Sequence, residues 1–220
     1  AHGHHANAVD ANNPRVRWRY DPKQAGVSAV MADCGIHALH MACFVTGQEV
    51  MEVSADFVST ISSRELEDDA MVNFRMTGGA VGRLWSSAIA LGRQHGLSLQ
   101  VFGEQGGLRW SQEQPNQLFY MPLGGRLEII ERGDSNLSDM AKDASRVTIG
   151  HSEGMPLALA NIYLDIAREI EAINSNHKTS QKPLYPDVED GLRSVAAVYA
   201  AKSSSNDLGA WTPAVPLILK

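Results

Sequence analysis

Cysteine is scarce in this chain, with only Cys34 and Cys43 among 220 residues. The two fall nine residues apart within one predicted helix, about 13 Å along its axis at 1.5 Å per residue. A disulfide cannot span that distance, so a disulfide-stapled fold is excluded, and both are expected to be small core residues in a reducing compartment. Long apolar runs are missing too. None approaches the roughly 18 residues needed to cross a bilayer, and no charged-then-apolar leader opens the chain, so a cytoplasmic protein without a membrane partner is expected. Positive charge is also in deficit: 19 Lys and Arg against 25 Asp and Glu leave a net charge of -6. That balance offers no basic field to nucleic acid. Phosphate-binding signatures are absent. GEQGG at 103–107 lacks both the GxGxxG pattern and the Lys-Ser/Thr of a P-loop, and a strand follows it, so it reads as a hairpin turn. What remains is 44% hydrophobic residues with ordinary charge, enough for one sizeable core in a globular protein.

Residues 1–14, AHGHHANAVDANNP, have no sustained period and are expected to form an irregular lead-in; His2, His4 and His5 there suit a mobile tail better than a metal site. RVRWRY at 15–20 alternates basic residues with Val16, Trp18 and Tyr20, which predicts a short strand stopped by Asp21-Pro22. A helix is predicted from Ser28, as N-cap, to Gly47. From residue 49 to about 130 the pattern becomes one of strands joined by glycine turns. EVMEVSADFVST, DAMVNFRM with AVGRLWSSAIA, LSLQVFG with LRWSQE, and QLFYMPL with RLEII predict antiparallel hairpins and one large sheet. Two helices close the chain, Met155 to Asn174 and 187–203, with a polar linker, NSNHKTSQKPLYP, between them. The expected organisation is a single α+β domain over residues 15–220, mainly an antiparallel sheet with helices on one face.

Chemistry concentrates in MADCGIHALHMACFVTG, residues 31–47. At about 100° per residue, Asp33, His37, His40 and Phe44 share one helix face. A carboxylate one turn before an imidazole can orient it for proton transfer. The residues alone leave three readings: a structural His37 with Asp33 paired locally, a proton-transfer pair, and a metal site of Asp33, His37 and His40. The last lacks a further Cys/His set with ligand spacing. Cys34 has no feature that would lower its pKa toward a nucleophile. His151, in the GHSEG loop before a helix, is either a surface residue or part of a cleft wall.

The order WRYDPKQAGVSAVMADCGIHALHMACFVTG, AVGRLWSSAIALGRQHGLSLQVFGEQGGLRW, GHSEGMPLALANIYLDIAREI and PDVEDGLRSVAAVYAAKSSS resembles the C-terminal domain of the Gfo/Idh/MocA oxidoreductases over about residues 15–212. That resemblance implies a fold like the C-terminal domain of glyceraldehyde-3-phosphate dehydrogenase, and an N-terminal Rossmann domain before Ala1 that would bind NAD or NADP. It implies catalytic roles for Asp33 and His37, the family's D-x-x-x-H pair, on a sugar or polyol hydroxyl. Ala32 stands where the family commonly has glycine, and the E-K-P segment that carries the family's lysine is not in this chain. Trp18 and Arg19 match a W-R pair of one branch and, with His151, are the candidate substrate-binding residues. No residue of this chain is assigned to cofactor binding or to a metal. The resemblance further implies a homodimer or tetramer through the open sheet face. The alternative function is a non-catalytic module that binds carbohydrate or dimerises.

Overall fold

The computed structural model describes residues 13–177 and 183–216; the histidine-bearing lead-in and the middle of the linker lie outside the described residues. These residues divide into two compact units, one within Ala1–Leu97 and Val188–Lys220, the other within Ser98–Asp187.

The first unit opens on helical turns where alternation predicts a strand. RVRWRY forms α1 (Pro14–Arg17) and a 3-10 turn (Trp18–Tyr20), and α2 (Pro22–Ala25) follows. Capping explains the difference. Asn13 accepts the Arg15 N–H at 3.1 Å, and Pro14 occupies a position where its missing N–H costs no bond. Asp21 and Pro22 repeat the arrangement, with Asp21 accepting the Lys23 N–H at 2.9 Å. The buried residues here, Val16 and Tyr20, are four apart, a helical spacing, while Trp18 is 42% exposed.

The next helix begins at Val30, two residues beyond the predicted N-cap Ser28, and ends at Gly47 as predicted. The Ser28 hydroxyl accepts the Ala32 N–H at 3.2 Å, a π turn spans Met31–Gly35, and α3 (Ile36–Thr46) ends at Gly47 in the left-handed region, φ 66°. Met31, Gly35, Leu39 and Ala42 form its buried stripe.

Eight strands are present among the described residues: β1 (Val50–Val58), β2 (Asp69–Met76), β3 (Val81–Ser87), β4 (Ser98–Gly103), β5 (Gly106–Ser111), β6 (Gln117–Pro122), β7 (Glu128–Glu131) and β8 (Thr212–Pro213). The expected antiparallel pairings hold, but they build two sheets of four rather than one, in the orders β3-β2-β1-β8 and β4-β5-β6-β7. In the first sheet Ala70, Val72, Phe74 and Met76 of β2 alternate inward beside Val53, Ala55 and Leu84, all buried. Helix α6 (Val188–Asn206) covers them with Ala197, Val198, Ala200 and Ala201. Its serines close the edge of β1 that the two-residue β8 leaves open: Ser204 and Ser205 hydroxyls accept the N–H groups of Ala55 and Phe57 at 2.9 and 3.0 Å. The helix therefore runs three residues past its expected end.

The second unit holds the other sheet with α4 (Asp139–Ala144) and α5 (Met155–Asn174). Among the described residues only Gly107 is buried there, whereas every buried apolar side chain lies in the first unit.

Candidate functional site

The helix that carries Asp33 and His37 is anchored by a carboxylate from the β1–β2 connection. Glu67, 3% exposed, accepts the Ser28 hydroxyl at 2.6 Å and the Ala29 and Met31 N–H groups at 2.9 and 3.2 Å, all on Oε1. A negative group at a helix start satisfies orphan N–H donors and complements the helix dipole. Next to it, Asp68 and Arg64 form a buried ion pair at 2.9 Å with side-chain exposures of 0% and 1%. Asp68 also accepts from Thr60 and from the Ile61 N–H. The Arg64 guanidinium lies 4.1 Å from the centre of the Tyr20 ring, and burial is the main cause that pushes the Tyr20 hydroxyl up to about 12.

On this rigid base the opposite helix face is open. Asp33 and His37 are exposed, His40 is half-buried and Phe44 is exposed, so the predicted polar stripe exists and His37 is no core residue. Arg19 approaches Asp33, with Nε 3.5 Å from Oδ2. Its guanidinium also lies 4.7 Å from the Trp18 ring and donates to the Arg15 carbonyl at 2.7 Å. Trp18, Arg19 and Asp33 are thus brought together by the short helical turns where a strand was expected. Cys34 is half-buried beside them, and burial, then the Asp33 charge, raises its thiol pKa; the thiol stays protonated and weakly nucleophilic. Among the described residues no group of three or more His, Cys, Asp or Glu is arranged to hold a metal ion.

His151 lies in the second unit, exposed, with Nδ1 3.3 Å from the Thr148 carbonyl. Its loop is tied down by Arg132, which pairs with Glu153 at 3.0 Å and donates to the Val147 carbonyl at 2.7 Å and to the His151 carbonyl. Glu153 in turn accepts the N–H groups of Arg146 and Val147 at 2.6 and 2.7 Å.

Sequence reasoning missed Glu67, Arg132 and Ser86, whose hydroxyl donates to the Val30 carbonyl at 3.1 Å. Glu67 sits in the run ELEDD, where no local signal separates a buried acid from its solvated neighbours. An exposed carboxylate and imidazole on one face of an anchored helix can bind a hydroxyl and move its proton.

The GFO/IDH/MocA C-terminal domain family model matches residues 1–109. An uncharacterized oxidoreductase, YfiI, of Bacillus subtilis (strain 168) is 32% identical over 198 residues, 89% of this chain and 50% of the relative. The chain therefore spans half the length of that curated relative. An inositol dehydrogenase homolog from Azotobacter vinelandii, complexed with NAD+, superposes with a TM-score of 0.89 at 32% identity, over 97% of this chain and 56% of the other. The structure of an inositol dehydrogenase homolog from that organism with NADH and myo-inositol matches with a TM-score of 0.82 at 31% identity, over 97% and 55%. These structures share the α+β architecture described above, and no helix of the described residues is long and apolar enough to cross a membrane.

Proposed function

The chain belongs to the GFO/IDH/MocA oxidoreductases through its C-terminal domain, and on that premise we propose that it is the substrate-facing and oligomerisation part of a nicotinamide-dependent dehydrogenase acting on a sugar or cyclitol CH–OH group. The observation that carries this reading is the exposed Asp33/His37 face on a helix whose other side is locked into the dry core. Nicotinamide cofactors and myo-inositol in structures about one-third identical in sequence support the substrate and cofactor class.

The residues present fit the reacting end of such a site. An acid/base pair on an open face suits deprotonation of a hydroxyl, whereas the dinucleotide phosphates need a glycine-rich loop that this sequence lacks. The bound nicotinamide would supply the hydride acceptor. His37 takes the hydroxyl proton, which raises the electron density that expels hydride from the same carbon; for this it must lie within hydrogen-bond reach of the oxygen. Asp33, one turn before His37, orients the imidazole, and Arg19 approaches Asp33 at 3.5 Å. Trp18 offers an apolar wall to a sugar ring. Arg19, already engaged with Asp33, Trp18 and a carbonyl, acts mainly by fixing the carboxylate.

The second unit supplies the association surface. Phe102, Leu123, Tyr163 and Ile173 are 70% or more exposed there. A homodimer or tetramer that covers them fits this reading.

The test joins this chain to a nucleotide-binding half like the one its longer relatives have room for, and follows NAD(P)+ reduction over a panel of sugars and inositols. His37→Ala is expected to lower kcat by about 10²- to 10⁴-fold while cofactor binding persists. A joined protein that binds no cofactor, or a His37→Ala variant as fast as the parent, would instead favour a carbohydrate-binding or dimerisation module.

A further inference from the structure

The helix bearing the proposed proton-transfer pair departs from α geometry at one place. The Ile36 N–H bonds the Met31 carbonyl, five residues back, so Met31–Gly35 is a π turn. In an α-helix each residue advances about 100°, and residues four apart overshoot a full circle by about 40°. A π turn spreads the circuit over more residues and advances each of them less. The path from Asp33 to His37 starts inside that turn and finishes in α3. The overshoot therefore shrinks, and the Cα of Asp33 falls more nearly in line with that of His37 than a regular helix would place it.

Groups remote in sequence hold the turn. Glu67 takes the Ala29 and Met31 N–H groups at its start. Ser86 of β3, 2% exposed, donates its hydroxyl to the Val30 carbonyl at 3.1 Å. Gly35 lets the turn press on that same serine: a Cβ at Gly35 would stand 3.4 Å from Ser86 Cβ and 2.3 Å from Met31 Sδ. The wide turn is thus clamped between the β1–β2 connection and β3.

We infer that the π turn is an alignment device for Asp33 and His37 and that Ser86 is its positioning residue, a conclusion that rests on the dehydrogenase reading above. Ser86 touches neither substrate nor cofactor; it acts through the Val30 carbonyl on the register of the pair. Losing its hydroxyl frees the turn to relax toward α geometry and swings Asp33 away from His37.

The experiment compares Ser86→Ala, His37→Ala and the parent in the joined, cofactor-binding protein. Ser86→Ala is expected to lower kcat about tenfold or more, because small misplacement of a reacting group is costly, while KM for polyol and cofactor stays within about twofold. A loss confined to stability would leave kcat of the folded fraction unchanged. Ser86→Ala at parental kcat beside an inactive His37→Ala overturns the alignment device alone. His37→Ala at parental rate overturns the dehydrogenase reading and the device with it. Should Ser86→Ala not fold, a crystal structure of the parent decides: an i to i+5 bond at Met31–Ile36 with the Asp33 carboxylate against the His37 ring supports the inference, and a regular α turn there overturns it.

Discussion

The two units of this chain bury their apolar residues to opposite degrees. The first has a dry core in which Met31, Val53, Ala70 and Ala201 are fully buried, closed by α3 and α6 over one sheet. The second has a sheet of equal strand number and a 20-residue helix, α5, with no buried residue. The contrast separates two ways of being stable. The first unit holds charged groups inside its core: Glu67 bonds three donors through Oε1 and Asp68 holds an arginine in the interior. The second leaves apolar surface that a partner surface can cover. Buried packing and ion pairing lie beneath the Asp33/His37 face, and the proposed association surface lies in the other unit.

The strongest way to break this comparison is to empty the buried ion pair. Asp68→Ala strands a guanidinium in the core and is expected to cost about 3–5 kcal/mol in urea unfolding. The matching change in the second unit, Glu153→Ala, removes a partner of Arg132 that is 14% exposed and nearer to water, and should cost about 1–3 kcal/mol. Equal losses would end the distinction. Core truncation comes next: Leu39→Ala, at a site 3% exposed, should cost about 2–5 kcal/mol, and Leu164→Ala in α5, at 40% exposure, under about 1 kcal/mol. Association should respond the other way round. Phe102→Asp or Ile173→Asp is expected to shift sedimentation toward the monomer while moving the unfolding free energy by no more than about 0.5 kcal/mol.

The smallest effect is alkaline. Burial raises the Tyr20 pKa from 10.0 to about 12, so the folded state keeps a proton that the unfolded state releases. Its contribution is complete below pH 10 and declines as pH rises from there toward 12. Tyr20→Phe should flatten that decline in unfolding midpoints measured across the same range.

Much of this could be read without coordinates, for reasons that differ by element. Gly47 ends α3, Gly78-Gly79 turns β2 into β3, and Met155–Asn174 is the helix its apolar spacing demands. These signals are local, a few residues long, and chain neighbours suffice to enforce them. The RVRWRY segment shows the opposite case. Its alternation is genuine, yet the Asn13 cap and the burial of Val16 and Tyr20 on one helical face outweigh it. At the candidate site the stripe of Asp33 and His37 was legible from spacing, and its exposure was not. Arg19 approaches Asp33 only because two short helical turns fold back against the start of the long helix.

The sequence by itself determined the antiparallel hairpins, the two long helices, the polar stripe and, through the order of its motifs, the family. Tertiary structure alone decided that the strands form two sheets, that Glu67 and Ser86 clamp a π turn beneath the proposed pair, and that one unit is dry while the other is open. The physical reason is range. Periodicity and turn chemistry act between residues a few positions apart, whereas a buried carboxylate finds its donors 36 to 39 residues away, and only the closed fold selects which acid that is.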